Sequence, residues 1–168
     1  MIRPTNIYKV AENCYQCHTV PNENLVNTGG HKAGSQFELY TWLNGEVRHN
    51  FRSGGGTNKM PDQNKKRLLY VVGQILDMEY GLRGVAKAKA AKTYAQQMAK
   101  RAHFAKLRLV EVLKAVKVPE LMEIYKIANA QKLKLDNEEA LTKAANDISA
   151  LGQKFAMKYN GSEFPEID

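Results

Sequence analysis

Cysteine is nearly absent: Cys14 and Cys17 are the only two in 168 residues, which excludes a multi-disulfide scaffold and leaves the fold to its core. Long apolar runs are missing too. The best, Leu68–Val72, sits in a charged segment and falls far short of the roughly 18 apolar residues of a membrane span. The opening stretch, Met1 to Val10, has no apolar core of the secretory-signal kind. No alternating strand pattern, hairpin signal or internal repeat is found. No Ser/His/Asp set, phosphate-binding loop or pair of catalytic carboxylates stands out, so hydrolase and kinase readings have no support. Acidic residues are outnumbered, 17 Asp and Glu against 25 Lys and Arg, for a net charge of +8 with histidine neutral. The remainder is ordinary: 43% hydrophobic and 25% charged, a globular composition of a length suited to one domain.

The chain changes character part way along. Residues 1–62 are rich in Gly, Asn, Pro and Thr, with turn clusters at Pro21–Asn24, Asn27–Gly30 and Ser53–Asn58, and carry three of the four histidines. One short helix is expected there, opened by the capping box Ser35-Gln-Phe-Glu38 and carrying Leu39, Trp42, Leu43 and Val47. From Asn64 to Tyr159 the spacing turns helical and predicts four helices. The first spans 64–82 and breaks or kinks at Gly81 and Gly84. The second, 85–117, has a core stripe of Ala91, Ala95, Met98, Ala102, Ala105, Leu109, Val112 and Val116. The third spans 120–133 after Pro119; the fourth starts with Asp136 as N-cap and Glu139 at the box position and ends at Asn160-Gly161. The expected fold is mainly α: a loop-rich, site-building region over 1–62, packed on an antiparallel four-helix bundle over 63–161, with a loose tail at 162–168.

Cys14-Tyr-Gln-Cys17-His18 has the C-x-x-C-H spacing of covalent haem attachment, and on these five residues the chain resembles the c-type cytochromes. The resemblance implies one haem c, held by thioether bonds from Cys14 and Cys17, with His18 as the proximal iron ligand. It also implies assembly outside the cytoplasm, usually in a bacterial periplasm. Two other uses of the pair fit less well. A thioredoxin-like C-x-x-C expects a βαβ context, and a zinc finger expects two histidines three to five residues apart, whereas His31 and His49 are 18 apart.

The first 80 residues resemble two branches of that family. Met60-Pro61 followed by Leu68–Leu76 is similar to class I cytochromes c, where methionine is the sixth ligand. Gly29-Gly-His31-Lys-Ala-Gly34 and Gly45-Glu-Val-Arg48-His49-Asn-Phe51 are similar to bis-histidine haem units. His49 is the leading sixth-ligand candidate. Arg48 and Arg52 beside it suit haem propionates, and Phe51 suits the macrocycle face. Met60 and His31 are the alternatives. His103 lies off the apolar stripe of its helix, as a surface or bundle residue. An open sixth site would resemble the helical-bundle cytochromes c-prime, although those carry the motif near the C-terminus.

Two strong protein ligands leave no place for substrate, so electron transfer is the expected role, with no catalytic residue named. The predicted helix 85–117 carries nine cations, Lys87, Lys89, Lys92, Lys100, Arg101, Lys106, Arg108, Lys114 and Lys117, against Glu111 alone. Such a field suits an acidic redox partner. Nucleic-acid binding has no aromatic-interleaved motif to support it, and membrane contact is a minor alternative. The bundle exceeds what a minimal haem carrier needs, which suits docking, oligomerisation or a place in a larger redox complex. Two rival classes remain: a ligand sensor or peroxidase-like protein with an open iron site, and a haem-free metal-binding helical protein.

Overall fold

The computed structural model describes residues 6–33, 37–44 and 60–167. Among them are seven helices and no strand: α1 Ile7–His18, α2 Glu23–Asn27, α3 Leu39–Asn44, α4 Gln63–Lys87, α5 Thr93–Ala115, α6 Pro119–Asn129 and α7 Glu138–Lys158. The protein is therefore mainly helical, as its periodicity predicts.

Most helix starts have a local cause. The Asn6, Asn22 and Asp62 side chains accept from the backbone N–H three residues on in α1, α2 and α4, which satisfies donors that a helix otherwise leaves orphaned. Pro119 opens α6, where its missing N–H costs nothing. Glu38 does the work expected of Ser35, accepting from the backbone N–H groups of Tyr40 and Thr41 at the start of α3; Ser35 and Val47 lie outside the described residues.

α4 is the central element, packed against α1, α3, α5 and α7, while α6 packs on α5 and α7. It is buried on nearly every side between Leu68 and Ala86, the pattern of an enclosed core helix rather than a one-sided stripe. The expected break at Gly81 and Gly84 does not occur. α4 runs through both to Lys87, because each glycine makes room for α5: a β-carbon at Gly81 would lie 2.7 Å from Ala102 N, and one at Gly84 would run into Met98.

The second predicted helix is shorter than its pattern. Residues 88–92 turn between α4 and α5, so Lys87 belongs to α4, Lys89 and Lys92 lie in the connection, and Ala91 is exposed rather than core. The remaining stripe, from Ala95 to Val116, is buried as expected. α6 ends at Asn129, short of 133, and α7 is capped at Asn137, since Asp136 adopts a left-handed φ of 58° that turns the chain just before it. The expected loose tail is anchored instead: Phe164 is fully buried and stacks on Phe155 with ring centres 5.6 Å apart.

α1 is tied to this core by two tyrosines. Tyr8 donates to Glu79 at 2.6 Å and Tyr15 donates to the Gly73 carbonyl at 2.9 Å, both on α4. The Glu79 carboxylate also accepts from Arg83, which reaches Asn146 of α7, so the buried charge is partnered and α1, α4 and α7 are held in one network.

Candidate functional site

The sequence singles out a loop-rich region, yet Cys14, Cys17 and His18 sit on the last turns of a regular helix. Tyr8, Ala11 and Tyr15 recur at helical spacing and are buried against the core, which fixes the rotation of α1. That rotation leaves Cys14, Cys17 and His18 as an adjacent stripe, with Cys17 at i+3 and His18 at i+4 from Cys14. Both cysteines are free thiols. Cys14 is half-buried, its Sγ 4.0 Å from the Val10 carbonyl, and burial pushes its thiol above the ordinary value. Cys17 is exposed.

His18 is held by aromatic side chains. Its ring stacks on Phe37 with centres 4.6 Å apart and planes 10° from parallel, and Trp42 of α3 lies 5.2 Å away. Phe37 is itself buried and meets the edge of Tyr15 at 5.0 Å. α1 closes at once after the motif: Thr19 Oγ1 donates to the Tyr15 carbonyl at 2.6 Å, and the Val20 N–H donates to the Cys17 carbonyl at 3.0 Å. Val20 takes a left-handed φ of 48°, uncommon for a β-branched residue, and Pro21 follows. The chain is thereby turned away from the stripe just beyond His18.

This donor set fits a covalently attached haem. Both thiols are free and share one side of the helix, and the imidazole is braced across its face while neither ring nitrogen is hydrogen-bonded to a described residue. Among the described residues no three His, Cys, Asp or Glu side chains gather as a metal cage would require. A haem motif needs no such cage, since its cysteines bond carbon and its histidine alone meets the metal.

The other candidates are dispersed. His49, Arg48, Phe51 and Arg52 lie outside the described residues. Met60 is exposed just ahead of α4, and His31 is exposed after α2 with Nδ1 2.8 Å from the Lys32 carbonyl. His103 is exposed on α5 beside Phe104.

Sequence reasoning passed over Phe37 and a charged cluster next to it. Asp77 of α4 is buried and ion-paired with Arg101 of α5, and Arg108 Nη1 lies 3.9 Å from its other oxygen. Burial raises the Asp77 carboxyl from 3.8 to about 6, against the opposing pull of Arg101 and Arg108. Arg101 also donates to the Phe37 carbonyl at 3.1 Å, so the ring that braces His18 is fixed from α5. Phe37, Asp77 and Arg101 are the more buried residues of a cavity of about 310 Å³, and Lys100, Phe104 and Arg108 are exposed at its rim. The only sequence signal for Phe37 is an aromatic side chain in a polar stretch.

No family model, curated protein or solved structure matches the chain.

Proposed function

We propose that the chain is a monohaem c-type cytochrome, assembled outside the cytoplasm, that transfers electrons. The observation that carries this reading is the C-x-x-C-H stripe on the last turns of α1, with His18 stacked on Phe37 at 4.6 Å. When bound, the haem supplies a one-electron couple at its iron. Cys14 and Cys17 would hold it covalently, each through a thioether bond to one of its two vinyl groups. His18 would ligate the iron, and its ring contacts with Phe37 and Trp42 favour one orientation for that role.

His49 is the proposed sixth ligand, with Met60 and His31 as the alternatives, and Arg48 and Arg52 are proposed to meet the propionates with Phe51 against the macrocycle. We read α4 to α7 as an antiparallel four-helix bundle, supported by their closed ring of contacts, α4 on α5 and α7, α6 on both. Its part is to hold α1 and α3 rigidly. The test is covalent attachment. Expressed with an export signal in a host that matures c-type cytochromes, the chain keeps haem through denaturation and gains the mass of one haem. The Cys14→Ala, Cys17→Ala double variant loses it. A colourless wild-type chain from that host overturns the proposal.

A further inference from the structure

We infer that the outward face of α5 around Phe104 is a docking surface for an acidic redox protein, over the cavity that Phe104 shares with Phe37, the ring stacked on His18. The inference rests on the haem reading and adds where electrons leave or enter. Phe104 is 51% exposed and Leu107 46% exposed, on a helix whose other apolar side chains largely face the core. Lys100, Phe104, Leu107 and Arg108 follow at i, i+4, i+7 and i+8, so they share one side of α5. An aromatic centre flanked by cations is the anatomy of a specific interface, where the apolar residue supplies affinity and the charges supply approach and selectivity.

What lies beneath the patch ties it to the site. Phe104 and Phe37 line the same cavity of about 310 Å³, and Phe37 stacks on the His18 ring with centres 4.6 Å apart. Electron exchange weakens steeply with distance through protein, and Phe37, which shares the cavity with Phe104 and stacks on His18, supplies a contact between this face and the histidine. Arg101 keeps that ring in place through the Phe37 carbonyl and is itself anchored by Asp77. Charge selects the occupant. A second copy of a chain with net charge +8 is repelled, whereas an acidic protein is steered toward the patch.

The test uses the full haem-loaded chain and a reduced acidic plant-type ferredoxin as electron donor, followed by stopped-flow absorbance at low and high salt. The Lys100→Glu, Arg108→Glu pair is expected to slow the second-order rate about ten-fold or more at low salt. Phe104→Ala slows it several-fold at both salts. The Lys143→Glu, Lys154→Glu pair on α7 makes the same change in net charge and has a much smaller effect. All variants keep the wild-type spectrum and full reduction by dithionite. Equal slowing by the two charge pairs, or none by the α5 pair, overturns the docking surface while the haem reading stands. A colourless chain fails the haem reading instead. The surface is then read by amide chemical-shift mapping with oxidised ferredoxin, where shifts along 100–108 support it and shifts confined elsewhere overturn it.

Discussion

Asp77 keeps 3% of its surface exposed and yet carries the ion pair that joins α4 to α5, so at this residue burial works directly against charge. Its carboxyl, raised by burial from 3.8 to about 6, binds a proton more tightly in the folded chain than in the unfolded one. The stability contributed by that proton is fully present below about pH 4 and is lost as pH rises through about 6. Asp77→Asn removes this dependence. Urea midpoints measured at pH 4.5 and pH 7 are expected to shift upward, toward neutral pH, in the variant relative to wild type. Between these two pH values the difference corresponds to at most about 2 kcal/mol, at roughly 1.4 kcal/mol per pH unit over the interval from 4.5 to about 6. Beside it, Gln74 is buried with an Nε2 that finds no hydrogen-bond partner among the described residues, and its Oε1 takes only a long contact of 3.4 Å from Arg108. Gln74→Met replaces an unsatisfied donor with a thioether of similar length. It is expected to hold or raise stability by about 1 kcal/mol in the same assay, where a loss of that size would show that the amide is partnered.

Among the elements, α4 and α5 illustrate why propensity misleads at close approach. Glycine in a helix interior costs about 1 kcal/mol relative to alanine, which is why Gly81 and Gly84 predict a break. In the fold they sit where α5 comes nearest. A methyl group at Gly81 meets backbone, Ala102 N at 2.7 Å and Met98 O at 2.9 Å, and at Gly84 it meets the near end of the Met98 side chain, Cγ and, 2.8 Å away, Cβ. Gly81→Ala is therefore expected to destabilise by about 2 kcal/mol or more despite its better propensity. Gly84→Ala is likewise expected to destabilise by about 2 kcal/mol or more, because no rotamer change moves the Met98 Cβ that lies 2.8 Å from the added methyl. Thermal melts check both, and a variant that melts at or above the wild-type temperature would contradict the packing argument. The same pair of helices marks the limit of sequence reading. Their buried stripes from Leu68 to Val116 are legible at 3.6-residue spacing. The start of α5 is not. Lys92 supplies no capping side chain, and the acceptor for the Tyr94 N–H is Asn27 of α2, while Glu23 accepts from Lys89 and Ala90. A cap that arrives from 67 residues away leaves no local signature.

For the molecule as a whole, the site divides in the same way. The C-x-x-C-H stripe is legible because its chemistry is written in five consecutive residues. Phe37 is not, because its value lies in a ring contact that exists only once α1, α3 and α5 have met, with Arg101 as the fastener. The positive charge is legible in amount but not in placement. α5 itself holds five of the nine cations expected of it, Lys100, Arg101, Lys106, Arg108 and Lys114. The others fall on α4, on the 88–92 connection and beyond α5. What remains concentrated is the group around Phe104, where Lys100, Arg101 and Arg108 line one cavity with it and Phe37. The proposed electron transfer would draw on two of these features: the ring contacts that hold His18 and a positive field to gather a partner.

The most direct test is the visible spectrum of the exported, purified chain, oxidised and dithionite-reduced, followed by exposure to carbon monoxide. The account predicts a low-spin c-type spectrum that carbon monoxide leaves unchanged, since it proposes two protein ligands for the iron. Absence of the methionine-to-iron band in the oxidised form selects histidine over Met60. A rapid change with carbon monoxide would contradict electron transfer through a six-coordinate iron, and an absence of haem absorbance would contradict the account at its root.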